Sequence, residues 1–204
     1  DDTPRSWVTG QPVRSPFANP RGLRGRLAGL LMLRTNRQAD LLQILDVRPG
    51  QRVLEVGHGP GALIRLLADR TEASVILGVD PPAEIGALAA RTNRAAVRAG
   101  RVRLAVGTAD RTGLARQSVD RVVSVNNVAI WPDLDAGVRE LHRVVRPGGT
   151  AVIAWHGGTA PPGSIERQRL PADIVDRIAA SLAGRFREVV RRQQRNLDVF
   201  LARR

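Results

Sequence analysis

Apolar positions along this chain keep two rhythms, one of three to four residues and one of short continuous runs, and they alternate. Between Gly22 and about Val47 the spacing is helical: Leu23, Leu27, Leu30, Leu31 and Leu33 share one face, and Leu41, Leu42, Ile44 and Leu45 repeat the pattern. Thr35-Asn36 offers an N-cap between them, which predicts two helices with a break near residues 33–36, and Arg48-Pro49-Gly50 closes the second. Ahead of them Pro4, Pro12, Pro16 and Pro20 come too close together for a helix and predict an irregular arm. Downstream, strands are predicted at Arg52–Val56, Ser74–Asp80, Val102–Val106, Asp120–Val125 and Gly148–Trp155. Helices are predicted through Leu63–Leu67, over Ala83–Gly100 and over Leu134–Val145. Strand-helix alternation with short connections predicts an α/β fold, a parallel sheet covered on both faces. A helix over Pro171–Leu182 precedes two further strands, Phe186–Arg192 and Leu197–Ala202. The turn between them, Gln193 to Asn196, is too short for a parallel return, so the chain is expected to finish in an antiparallel hairpin.

Composition narrows the partners more than the fold. At 204 residues and 43% apolar content the chain fits one domain that buries roughly 70% of its unfolded surface. Cysteine is absent, which removes disulfides, thiolate nucleophiles and zinc-thiolate sites. No apolar run approaches membrane-spanning length, and Asp-Asp-Thr-Pro-Arg lacks the layout of a signal peptide; a cytoplasmic protein with no membrane partner is the expectation. The net charge of +13 comes entirely from arginine, since none of the 32 basic residues is lysine. Those arginines are scattered from Arg5 to Arg204, and there is no Tyr and only three Phe for base stacking. A small-molecule substrate is therefore expected over a nucleic acid, and the basic run Arg185, Arg187, Arg191, Arg192, Arg195 is expected on a solvated strand face.

The richest stretch is Glu55-Val56-Gly57-His58-Gly59-Pro60-Gly61, where a strand meets a sharp turn that opens a helix. Three alternate glycines remove Cβ atoms that would keep a ligand from the backbone, and the helix points its amides at that ligand. Gly57-x-Gly59-x-x-Ala62 also satisfies the dinucleotide pattern. Two features favour a sulfonium cofactor over a nicotinamide. Glu55 sits where a pyrophosphate gains nothing from a carboxylate but an ammonium does, and Gly61 exceeds the dinucleotide requirement. Asp80 ends the second strand, where a carboxylate accepts from ribose hydroxyls with either cofactor.

With these residues the chain resembles class I S-adenosylmethionine-dependent methyltransferases, over roughly Asn36 to Trp155 and more loosely into the hairpin. Glu55 through Gly61 resembles their first motif, with His58 lining the cofactor, and Asp80, followed by Pro81, resembles their ribose-binding acid. Gly107-Thr108-Ala109-Asp110 is similar to the segment after the third strand, where Asp110 takes the adenine amino group and Ala109 gives a backbone amide. Val123-Ser124-Val125-Asn126-Asn127 resembles the fourth strand and the turn facing the methionine end, and Leu141 through Gly149 resembles the stretch leading into the fifth. The resemblance implies a Rossmann-like, doubly wound, mostly parallel seven-stranded sheet ending in the hairpin. It also implies an arm and lid over 1–35, a cofactor domain over 36–204, and S-adenosyl-L-methionine as methyl donor, leaving S-adenosyl-L-homocysteine.

For chemistry beyond methyl alignment, His156 past the fifth strand is the candidate base for a hydroxyl or amine; the competing reading is that it only caps its loop. His142 is expected on a helix surface. The run Asn126-Asn127-Val128-Ala129-Ile130-Trp131 lacks the prolines of the Asn-Pro-Pro-aromatic motif, which weighs against DNA or glutamine N-methylation. Trp131 is open to two readings, acceptor-site wall or core. The acceptor pocket is expected from the arm before Asn36, the loop after Asn126, and 157–170 with its Pro161-Pro162-Gly163 turn, with Met32 and Asn36 as a lid. No residue set predicts a metal. An RNA methyltransferase, a nicotinamide oxidoreductase and a fold-retaining protein without catalysis are the remaining alternatives.

Overall fold

The computed structural model describes residues 5–12, 39–81, 83–159, 169–194 and 196–204. Seven strands, β1 Arg52–Val56, β2 Val75–Asp80, β3 Val102–Val106, β4 Val119–Val125, β5 Val145–His156, β6 Glu188–Gln193 and β7 Leu197–Arg203, form one sheet in the order β3-β2-β1-β4-β5-β7-β6. The first five run parallel, and β7 lies antiparallel between β5 and β6, so the expected hairpin closes the sheet. Among the described residues the helices are α1 Ala39–Leu45, α2 Ala62–Arg70, α3 Ala83–Thr92, α4 Arg94–Arg98, α5 Leu134–Val144 and α6 Ala172–Ala183. None of these is long and apolar enough to cross a membrane.

Two apolar layers cover the sheet, which is why its central strands are nearly continuous runs of Val, Leu and Ile rather than alternating ones. On one face Leu41, Leu45, Leu63, Ile64 and Leu67 from α1 and α2 pack on Val53, Ile76, Val123 and Val152. On the other, Val138, Leu141, Ile178 and Leu182 from α5 and α6 pack on Leu54, Leu77, Val122, Ile153 and Phe200. Strand order reverses between β1 and β4, and the crevice outside their carboxyl ends is where such sheets bind ligands.

The structure departs from the sequence expectation in a few places, each with a physical cause. The single helix expected over Ala83–Gly100 is two, because the buried Asn93 breaks it and donates its side-chain amide to Gly61 O and Ala89 O at 3.1 and 2.9 Å. Strand β5 starts at Val145, not Gly148, since Val145 already pairs with Val119 ahead of a register shift. Strand β6 starts at Glu188 because the Phe186 amide still bonds to Leu182 O and its ring is buried at the end of α6. His142 is half-buried, its ring edge-on to Phe186 with centroids 5.1 Å apart, rather than on the surface. The helix expected from Gly22, the Thr35-Asn36 cap, Met32 and the Pro161–Gly163 turn lie outside the described residues.

Part of the arm is described, and it docks on the turn after β4. Arg5 and Pro12 bridge to make a small loop; Ser6 Oγ donates to Ala129 O (2.7 Å), the Trp7 amide to Trp131 O (3.0 Å) and Trp7 Nε1 to Val128 O (2.6 Å). Phe200, fully buried on β7, is the hairpin's main contribution to the core. Replacing it with Ala is expected to cost about 3–5 kcal/mol in urea unfolding, as for other core Phe truncations. A cost below about 1 kcal/mol would show the hairpin to be an appendage rather than part of one cooperative unit.

Candidate functional site

Parallel register delivers several strand ends to one edge. Val56 is aligned with both Val79 and Ser124. Just beyond, the Gly57 amide donates to Val79 O (2.8 Å), that of Gly107 to Asp80 O (3.3 Å) and that of Asn126 to Ala154 O (2.8 Å). The turns after β1 and β3 are thereby tied to the end of β2 and the turn after β4 to β5, and His156 ends β5 on the same edge.

The three glycines of the first turn do different work, which corrects the expectation that all make room for a ligand. A Cβ on Gly57 (φ +73) would sit 1.4 Å from Asn127 Nδ2, so this position is filled from within the protein. A Cβ on Gly61 would meet the Asn93 amide at 2.6 Å and Ala89 at 3.1 Å. Only Gly59 (φ +53) faces open space. Helix α2 then begins at Ala62 after Gly61, which has no side chain to cap it, and one amide of its first turn, that of Ile64, is taken by the Glu55 carboxyl.

Around Gly59 lie three titratable groups. Asp80, partly buried at the end of β2, accepts the Gly59 amide on Oδ2 at 2.9 Å. Burial raises its pKa, opposed by nearby His58 and the Gly59 amide. Glu55 is only 2% exposed; burial first, and then the charge of Asp80, hold its pKa well above the ordinary range, against one amide bond from Ile64 of α2. His58 is 3% exposed and its Nδ1 lies 2.7 Å from Gly59 O. A carbonyl only accepts, so Nδ1 carries the proton and Nε2 is a bare lone pair. Burial lowers the His58 pKa despite Asp80. Glu55 Oε2 and His58 Nε2 have no hydrogen-bond partner among the described residues, and neither does Asn126 Oδ1.

Asn126 holds a left-handed backbone (φ +56) at the end of β4, a conformation asparagine adopts more readily than most residues and one that Asp46 and Gln117 also hold elsewhere in the chain. Its neighbour Asn127 turns inward. Its Nδ2 donates to Val56 O (2.8 Å), and its Oδ1 accepts from Ser124 Oγ (2.5 Å) and Trp131 Nε1 (2.7 Å). Trp131 is buried in the core, which settles its two readings against an acceptor-site wall. Sequence reasoning missed Asn127 as a clamp, since its partners lie up to 71 residues away.

The remaining residues divide. Ala109 is buried and Asp110 exposed in the turn after β3, while Pro81 is exposed after Asp80. His156 is half-buried, its ring edge-on to Trp155 at 6.0 Å, and burial lowers its pKa. Arm residues Ser6 and Trp7 reach the turn after Asn127, while 160–168, also expected to line the acceptor pocket, lie outside the described residues. Among the described residues no cluster of three or more His, Asp or Glu side chains could hold a metal ion.

Known proteins resemble this chain in the same region. A family model described as a methyltransferase domain matches residues 53–149. The uncharacterized methyltransferase YdaC of Bacillus subtilis is 33% identical over 129 residues, 62% of this chain and 69% of YdaC. Nocamycin O-methyltransferase of Saccharothrix syringae is 31% identical over 144 residues, 68% of this chain and 50% of that protein. The match thus spans only half the length of the second relative. In structure, a SAM-dependent methyltransferase from Aquifex aeolicus superposes with a TM-score of 0.66 over 84% of this chain and 91% of that one; at 19% identity this likeness shows the fold.

Two outcomes check this geometry. Gly57→Ala, driven into the Asn127 amide, is expected to cost about 3 kcal/mol or more in denaturant unfolding, whereas Gly59→Ala costs only the left-handed strain, about 1 kcal/mol. Equal costs would mean that Asn127 does not fill the turn. Glu55 has a folded pKa raised above its unfolded value, so its effect on stability worsens as pH rises from the unfolded pKa toward the folded one. Glu55→Gln keeps an acceptor for the Ile64 amide and is expected to raise the melting temperature at pH 7, a gain that disappears near pH 4. A lowered melting temperature at pH 7 would contradict the assignment.

Proposed function

This chain belongs to the class I S-adenosylmethionine-dependent methyltransferases, and from that premise we propose that it methylates a small molecule at an O, N or C nucleophile. One observation supports the reading above the others: buried polar atoms without partners among the described residues, Glu55 Oε2, His58 Nε2 and Asn126 Oδ1, belong to the end of β1 and to the turns after β1 and β4, where the backbone at Gly59 is open. A protein keeps such atoms unsatisfied at a cost, and a ligand with matching polar groups relieves it.

The residues present fit the cofactor S-adenosyl-L-methionine. Asp80 would hold the ribose hydroxyls, with Pro81 beside it. The turn Gly57–Gly61, with His58 and the α2 amides, would hold the amino-acid end, where Glu55 supplies the negative field that an ammonium group needs. Ala109 and Asp110 would hold the adenine and Asn126 the face toward the acceptor. Once bound, the cofactor offers an electrophilic methyl group on a positively charged sulfur. The protein's own contribution is alignment and exclusion of water. Packing by Asn127 fixes the Gly57 turn against the end of β4, so donor and acceptor sites share one rigid floor. His156 is our candidate base. Burial keeps its ring neutral at pH 7, with a lone pair available for a proton from a hydroxyl or amine.

Small-molecule specificity draws on two supports. Nocamycin O-methyltransferase is among the relatives by sequence. Of the two asparagines compared with the amine-directed motif, Asn127 has its Oδ1 and one Nδ2 hydrogen taken up internally.

Titration calorimetry tests the reading with S-adenosylhomocysteine, NAD and NADP side by side. Only the first is expected to bind, in the micromolar range, about −8 kcal/mol. Asp80→Ala should weaken it by roughly 1.5–3 kcal/mol, the worth of hydrogen bonds to a charged group. The raised Asp80 pKa adds a pH signature. Affinity should fall, on acidification, earlier than an ordinary aspartate would allow. Binding of NAD in preference, or an Asp80→Ala variant of unchanged affinity, would overturn the assignment.

A further inference from the structure

The chain between β3 and β4, residues 107–118, has neither helix nor strand, yet it carries Ala109 and Asp110. Its start is tied to β2 through the Gly107 amide on Asp80 O. Thr108 and Arg111 exchange amide bonds at 3.0 and 3.2 Å, closing the turn around Asp110. The other tie comes from α5. Glu140, 8% exposed, accepts the Thr112 amide (3.0 Å) and hydroxyl (2.6 Å) on Oε1. Arg143 completes the carboxylate, with Nε on Oε2 at 2.6 Å and Nη2 on Oε1 at 2.8 Å, and the same Nη2 holds Leu114 O at 2.6 Å. Further along, the Gln117 amide donates to Arg143 O (2.9 Å) and that of Ser118 to Val144 O (2.8 Å).

A buried charge is no economical way to hold a helix against a loop, since apolar groups of equal volume do as well or better. What a satisfied carboxylate adds is direction: both Thr112 groups must point at one oxygen, which fixes the turn two residues earlier. We propose that Glu140 is a positioning residue for cofactor binding, holding the 107–112 turn in the shape that presents the Ala109 amide and the Asp110 carboxylate to the adenine. The inference rests on the cofactor reading above. Burial by itself would push the Glu140 carboxyl up, but the bonds from Arg143 and Thr112 outweigh it and hold its pKa below the ordinary range, so the clamp stays charged at neutral pH.

The test is a double-mutant cycle read by calorimetric titration with S-adenosylhomocysteine, with melting temperature recorded for each variant. Asp110→Ala and Glu140→Ala are each expected to weaken binding about tenfold, and the double variant far less than a hundredfold, because the second loss acts through the first. Glu140→Gln, which keeps an oxygen for Thr112, is expected to recover most of the affinity. If Glu140→Ala does not fold, Thr112→Val takes its place in the cycle. Should Asp110→Ala weaken binding while the Glu140 variant is neutral, or multiplies independently, the positioning role is overturned and the adenine site stands. A neutral Asp110→Ala would bring down the adenine assignment and the positioning role with it.

Discussion

One side-chain amide sets the geometry on which everything at the sheet's carboxyl edge depends. Asn127 fills the volume beside Gly57, donates to the last carbonyl of β1 and accepts from Ser124 and Trp131. It thereby joins β1, β4 and the core indole through three directed bonds in a partly buried place. Removing it would strand a carbonyl, a hydroxyl and an indole N–H together, each costing more unpaired than it contributes when paired. Because the Gly57 side is packed from within, the turn cannot collapse inward. The opening at Gly59 is left as the approach to the backbone. A rigid floor of this kind suits a reaction whose chemistry is mostly alignment.

Three carboxylates in this protein show how satisfaction separates scaffold from site. Glu140 is saturated with donors, and its pKa falls below the usual range in spite of burial. Asp80 has the Gly59 amide and a nearby histidine, and its pKa still rises. Glu55 is the most buried and the least supplied, with one oxygen lacking any partner, and its pKa rises furthest from where an acid is comfortable. Scaffold carboxylates are stabilised by the protein itself. A carboxylate left short of donors beside an open turn is stabilised by whatever binds there, and a cationic ligand is the complement.

The fold was largely legible because its signals are local. Apolar runs and glycine breaks mark β1 at the same bounds the structure has, and the short Gln193–Asn196 turn forces an antiparallel ending in any topology. What escaped was every feature set by distant partners. The Ala-rich stretch from Ala83 reads as one helix, since the pull of Gly61 O on Asn93 is invisible to periodicity. Spacing identified the glycine motif, yet the reason for Gly57 and Gly61 lies in Asn127 and Asn93 rather than in a ligand. Glu140 reads as an ordinary polar helix position until its partner 28 residues upstream comes into view. Periodicity reports which face is buried; it does not report what a polar group meets there.

The arginine excess takes on a different meaning at the opposite, amino-terminal edge of the sheet. Arg101 donates to the carbonyls of Ala68, Thr71 and Ala73 at the end of α2, and Arg121 to those of Leu45 and Asp46 at the end of α1. Arg52 holds Ser118 O, and Arg204 holds Val145 O. Helix carboxyl ends carry unpaired carbonyls and partial negative charge, so a forked cation answers both needs at once. Arginines spent on the protein's own backbone are not available to track phosphates, which need guanidinium groups projecting together from one surface. Net charge counted along the sequence therefore combines arginines held at backbone carbonyls with exposed ones, which among the described residues include Arg65, Arg98, Arg103, Arg111 and those of β6. There Arg191 is already held, paired with Asp198 at 3.2 Å and lying over the Phe200 ring.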